Sequence, residues 1–259
     1  MYINLHSSLL QVRVGALALS AAIHYSLQTV CGETSLMRVS QAKNELLEIG
    51  RRYVTTLPEE ECEVLYGRAG YLHAILLVRN ETNDPGFGNI LVQSIVQNII
   101  KEGEQVADES NTDLPLLWTW HNKAYLGSIH GVVGILLTLL YFKEEVPLAK
   151  ETIDKMKTTT NKLDQLCFAS GNLKSSLGSD RTDRLVHLCH GAPGHILYLV
   201  KAYEVLGELQ YLERAEEIAT NVICRRGLLK KGMVILQVDQ STSYFTYFHL
   251  LSHFDSTAF

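Results

Sequence analysis

Residues Leu185–Val205 read LVHLCHGAPGHILYLVKAYEV: a thiol and an imidazole, Cys189 and His190, stand directly before a Gly-x-x-Gly turn, Gly191 to Gly194, that opens an apolar helix. A helix N-terminus presents unpaired N–H groups, and the partial positive charge there favours thiolate over thiol at Cys189. A thiolate so placed can hold a metal ion or attack an electrophile. The competing reading makes Cys189 a small buried apolar residue and His190 a helix-start residue.

Repetition strengthens the first reading. Gly67-Arg68-Ala69-Gly70 precedes YLHAILLV, and His130-Gly131-Val132-Val133-Gly134 precedes ILLTLLYF, so Gly67, Gly131 and Gly191 stand 64 and 60 residues apart. A degraded fourth copy begins at Gly15, 52 residues before Gly67. Each period accommodates two helices and two loops, which predicts an array of helical hairpins. The glycine pairs let each helix start close to a neighbouring backbone and gather the helix N-termini on one side, the candidate site.

Composition bounds the class. The 259 residues are 46% hydrophobic, enough for one large domain with a buried core. A net charge of −5 offers no basic field, so no nucleic-acid partner is expected. Five widely spaced cysteines, an odd number, fit reduced thiols in the cytoplasm better than a disulfide framework. Arg13 followed by VGALALSAA has features of a signal peptide, but the apolar pattern continues through Tyr25 and fits a first inner helix better. Apolar runs fall short of a membrane span. The sequon Asn80-Glu81-Thr82 is placed in a loop.

In chain order, the sequence predicts a helix over 15–29 buried on most sides and an amphipathic outer helix over 36–53. A helix start follows at the acidic run ending at Glu61. The Arg68 turn opens an inner helix, with a partner over 88–102. Another inner helix follows the His130 turn, with an outer partner over 148–167. Residues 169–183, rich in Ser, Gly, Asn and Lys, read as a mobile surface loop, and an amphipathic helix over 211–226 follows the Cys189 helix.

YLGSIHGVVGI, LVHLCHGAPGHILYL and the later GLLKKG resemble the lanthionine synthetase C-like (LanC-like) proteins of eukaryotes, relatives of the cyclases that make lantibiotics. The resemblance covers Gly15 to Gly232. It implies an all-α fold, an (α/α) toroid or barrel of six or seven helical hairpins with inner and outer rings, here incomplete. It also implies one zinc ion and the addition of a thiol, glutathione in the eukaryotic members, to dehydroamino acids in peptides or proteins. Residue by residue, Cys189 matches the first zinc ligand. His130 matches the histidine that acts as general acid/base, with His190 beside the ligand to orient substrate. Lys231 matches a lysine near the glutathione carboxylates, and Arg68, in the equivalent turn of an earlier repeat, is a candidate carboxylate partner.

The resemblance stops after Gly232. The family continues with a second Cys-His-Gly that supplies the remaining protein ligands of the zinc, whereas residues 233–259 contain no cysteine and form a divergent tail; His249 and His253 there are not assigned to zinc. The expected layout is a partial LanC-like domain over 1–232, preceded in the family by a further helical repeat, with zinc held weakly or not at all. The alternative function is accordingly a non-catalytic, glutathione-binding or regulatory form, or an incomplete isoform. Relatives can sit peripherally at the plasma membrane through lipidation; Met1-Tyr2 lacks the glycine that myristoylation needs.

Overall fold

The computed structural model describes residues 5–55, 61–179 and 182–227, with side chains described between Arg13 and Arg226. The tail 233–259, with His249 and His253, lies outside the described residues, as does Lys231. The described chain is all-α and divides into two units, residues 1–122 with 141–158 and residues 123–140 with 159–259. Among the described residues, no helix is long and apolar enough to cross a membrane.

The first unit holds α1 (Leu5–Ser26), the short α2 (Gln28–Cys31), α3 (Glu33–Thr55), α4 (Arg68–Thr82) and α5 (Asn89–Glu109). Helix α3 buries Val39, Ala42, Leu46, Ile49 and Tyr53, the alternating three- and four-residue spacing of one helical face. Tyr71 of α4 crosses it, donating its hydroxyl to the Leu46 carbonyl at 3.0 Å, with its ring tilted against that of Tyr53 at 5.1 Å between centroids. On α5, Gly103 lies under the indole of Trp118, whose Nε1 donates to the Ile99 carbonyl at 2.8 Å. Trp118 is 1% exposed, so its burial contributes on the order of 3–5 kcal/mol.

Two expectations change here, and a third falls largely outside the described residues. Helix α1 packs on α3 and α4 through Val14, Ala18, Ala21 and Ala22, while Leu19, Ile23 and Leu27 are exposed. It is therefore buried on one small-residue face, because alanines permit close helix approach and the larger side chains do not. The helix start expected at the acidic run falls largely outside the described residues; from Glu61 on, residues 61–67 form a turn held by Arg68 N–H to the Glu61 carbonyl (2.9 Å) and Ala69 N–H to the Cys62 carbonyl (3.2 Å), and α4 begins after it. The sequon falls on the last turn of α4, where the Thr82 hydroxyl is spent on the Val78 carbonyl at 2.7 Å.

Also in the first unit, Arg79 secures the α4–α5 connection. Its Nε donates to the Phe87 carbonyl at 2.8 Å, and Nη2 reaches Asn89 Oδ1 at 2.7 Å and Glu145 Oε1 at 2.9 Å.

In the second unit α6 (Val132–Tyr141), whose last residue reaches into the first unit, is buried at Val132, Val133, Gly134, Ile135, Leu136, Thr138, Leu139 and Leu140, as an inner helix should be. Helix α7 (Lys150–Gln165) begins in the first unit and ends in this one. Helix α8 (Ala192–Leu206) packs on α9 (Leu209–Ile218), which continues as π-helix over Ala219–Gly227.

Candidate active site

The two histidine-bearing turns of the second unit meet backbone to backbone. A Cβ on Gly127 would overlap the carbonyl oxygen of Cys189 and stand 3.2 Å from the Cα of His190, so only glycine lets the segments approach this closely. Ser128 adds a side-chain tie, its hydroxyl donating to the Leu188 carbonyl at 2.5 Å. Three aromatic side chains gather over this junction. Tyr125 stands 5.9 Å from His130 and 5.8 Å from His190, centroid to centroid, and the two imidazoles are 6.5 Å apart. Lys123 lies over the Tyr125 ring at 4.7 Å.

Gly191 caps α8 with φ of 122°, in a region side chains rarely adopt; a Cβ there would meet the Leu185 carbonyl oxygen at 2.5 Å. The segment read as a mobile loop holds this turn. Asn172, 1% exposed, accepts the Ala192 N–H at 2.8 Å and donates to the Leu185 carbonyl at 2.8 Å and to Asp183 at 2.7 Å. Asp183 in turn receives Ser170 at 2.6 Å and Arg226 at 2.5 Å. Backbone bonds from Leu126 to Ser175 (3.0 Å) and from Leu177 to Ala124 (2.9 Å) join the same segment to the Tyr125 strand-like stretch. The segment is thus tethered at both ends of the site, because one buried amide can satisfy a helix N-terminus and a loop carbonyl together.

The electrostatics differ from the thiolate expectation. Burial pushes the half-buried Cys189 thiol above its ordinary value, only partly offset by the N–H groups of Cys189 and His190. Desolvation outweighs the helix terminus because the first helical residue is Ala192, three positions on. His190 is held below its ordinary value by burial first and then by the charges of His130, His187 and Lys123; its Nδ1 is buried without a hydrogen-bond partner. It is consequently neutral near pH 7.

Arg68 belongs to the first unit and is 5% exposed. Its Nη1 meets Glu102 Oε2 at 3.3 Å and Cys62 Sγ at 3.8 Å, and Nε donates to the Tyr53 carbonyl at 3.3 Å. Its charge is therefore engaged inside the protein. Sequence reading brought together Cys189, His190 and His130, and the structure places them at one junction. It missed Tyr125, Ser128 and Asn172; the Tyr in YLG-x-x-HG was on view, but an asparagine in a polar loop carries no local sign of its tertiary bonds.

For a zinc ion the fit is poor. Among the described residues, the group of three His, Cys, Asp or Glu side chains whose ligand atoms could hold a metal is Asp164, Cys167 and His195, and it does not include Cys189. Cys224 is exposed and stands outside it too. The described residues around Cys189 thus do not make the three-ligand set of a catalytic zinc.

A family model described as lanthionine synthetase C-like protein matches residues 20–235. The glutathione S-transferase LANCL1 of Danio rerio is 33% identical over 220 residues, covering 84% of this chain and 52% of that protein. The chain spans about half the length of that curated relative. Among solved structures nisin cyclase is similar, with a TM-score of 0.60 and 17% identity over 90% of this chain and 68% of that one. At that identity the likeness shows the fold class alone, all-α as in that helical toroid.

Proposed function

Because the chain belongs to the lanthionine synthetase C-like family, we propose that the Cys189–His130 junction serves thiol addition: glutathione joins a dehydroalanine or dehydrobutyrine residue of a peptide or protein. The observation that carries this reading is the contact of the two turns at Gly127 and Cys189, which gathers His130, His190 and Tyr125 around one point.

Neutral His190 has the lone pair to take the proton from the incoming glutathione thiol. The thiolate sulfur forms a C–S bond at the β-carbon, the C=C electrons move into an enolate, and the proton taken up by His190 is passed by way of His130 to the α-carbon, so both imidazoles end in the protonation state in which they began. Atoms and charge balance without a further reactant. Zinc in the family would supply a more acidic substrate thiol. In this reading Lys231 pairs with a glutathione carboxylate, and Arg68, already committed to Glu102, has a structural role. The test is incubation of the chain with glutathione and a dehydrobutyrine peptide, followed by mass spectrometry. One added glutathione per peptide, lost in His130→Ala, is the expected result; no adduct at millimolar glutathione overturns it.

A second reading rests on the incomplete ligand set around Cys189: glutathione binding without turnover. Glutathione binding that persists in chelator and weakens in Lys231→Ala, with no adduct formed, would favour it; no binding at millimolar glutathione rejects both.

A further inference from the structure

Away from the Cys189 junction, the second unit contains a partly buried constellation that the thiol-addition reading does not use. Asp164 lies on the last turn of α7, Cys167 follows two residues after its end, and His195 is the fourth residue of α8. Their ligand atoms, a carboxylate oxygen, Sγ and an imidazole nitrogen, all lie within 4.8 Å of one another. The spacing of Asp164 and Cys167 is i, i+3, and the Cys167 N–H bonds back to the Asp164 carbonyl at 3.2 Å, which turns both side chains toward α8.

His195 is the anomaly that asks for a ligand. It is 0% exposed, and neither Nδ1 nor Nε2 has a hydrogen-bond partner. Leaving such a group unsatisfied costs on the order of 1–3 kcal/mol, and an apolar side chain at this position would avoid the cost. The neighbouring polar groups do not answer it. Arg214 Nε engages Asp164 Oδ1 at 2.9 Å, leaving a second carboxylate oxygen for a cation, and the Cys167 Sγ–H points to the Leu163 carbonyl at 3.6 Å.

We propose that Asp164, Cys167 and His195 form a binding site for a borderline divalent transition-metal ion of the zinc type, pinning the end of α7 to the start of α8. The donor set selects the ion: thiolate and imidazole favour zinc or cobalt over the oxygen-seeking magnesium and calcium. Three protein ligands with one open position suit a tetrahedral centre. On binding, the ion takes lone pairs from Sγ, one imidazole nitrogen and a carboxylate oxygen, and the Cys167 thiol proton leaves to solvent. The +2 ion, the Cys167 thiolate and the Asp164 carboxylate sum to zero, and the Arg214 guanidinium that also bonds Asp164 is matched by Glu217 at 2.6 Å. The site is separate from Cys189, and it stands whether or not the thiol-addition reading does.

The test is a titration of the purified chain with Co2+ alone, followed by absorption. Expected are one equivalent bound, a sulfur-to-cobalt charge-transfer band in the near ultraviolet, and the intense visible bands of four-coordinate cobalt. Cys167→Ser removes the charge-transfer band. His195→Leu weakens binding by at least about tenfold, since even outer-shell changes cost that much, and Cys189→Ser changes neither. Because Cys167→Ser alters a single partly buried sulfur, it keeps the test readable even where His195→Leu disturbs folding. A band lost in Cys189→Ser, a band retained in Cys167→Ser, or no charge-transfer band with excess cobalt overturns the proposal.

Discussion

The backbone of Gly127 lies directly against the carbonyl of Cys189, so the turn that carries His130 and the turn that carries His190 meet main chain to main chain. Adding one methyl at this position should separate them. Gly127→Ala is expected to destabilise the protein by about 1–3 kcal/mol, as overpacking against rigid backbone does. Ser128→Ala, which removes only the tie to Leu188, should cost about 1 kcal/mol. Urea unfolding checks both, and a Gly127→Ala variant as stable as the parent would show that the turns are not in backbone contact.

The Asn172 side chain bonds both the first amide of α8 and the loop before the Cys189 turn. Asn172→Ala strands a buried N–H and should cost about 1–3 kcal/mol. Local opening at the start of α8 follows, so hydrogen exchange at the Ala192 amide should accelerate by more than exchange in α6. Unchanged protection at Ala192 would contradict the tether.

Arg68 and Glu102 form an ion pair with side chains 6% and 8% exposed. Arg68→Met strands a buried carboxylate and is expected to cost about 3–5 kcal/mol. The double substitution Arg68→Met with Glu102→Leu should recover most of that loss, since an apolar pair of similar volume needs no desolvated charge. A double-mutant cycle by urea unfolding reads the coupling, and additive losses would argue against the pair.

Acid should destabilise the fold through buried histidines. Burial holds His73 below its ordinary value and pushes His195 down to about 3, whereas in the unfolded chain each titrates near 6.5. Below that pH the unfolded chain takes up protons that the folded chain refuses. Stability is thus full above about pH 6.5 and falls as pH drops toward the folded values. For His195 the loss at pH 5 is about 2 kcal/mol. Urea unfolding of chelator-treated protein at pH 7 and pH 5 measures it; His195→Leu should remove this part of the pH dependence, and an unchanged dependence in that variant would refute the assignment.

How much was legible in the residues follows from the range of the forces involved. The apolar period of α3, the nearly all-apolar α6 and the glycine turns before α4, α6 and α8 are local signals, and they placed those helices within a few residues. The Cys-His-Gly and YLG-x-x-HG words marked His130, Cys189 and His190 because each lies on its own turn. Arg68 shows the limit. A basic residue in a glycine turn reads as a ligand for an anion, yet its partner Glu102 comes from a helix 34 residues on.

The sequence by itself determined the helical period, the turns that open the helices and the membership of the family, since these depend on neighbours within a few residues. Only the tertiary structure decided that the α1 face that packs is the alanine face, that residues 169–179 brace the Cys189 turn, and that burial outweighs the helix terminus at the Cys189 thiol. Desolvation and long-range hydrogen bonds depend on which distant segments come to lie against a residue, and no spacing along the chain encodes that.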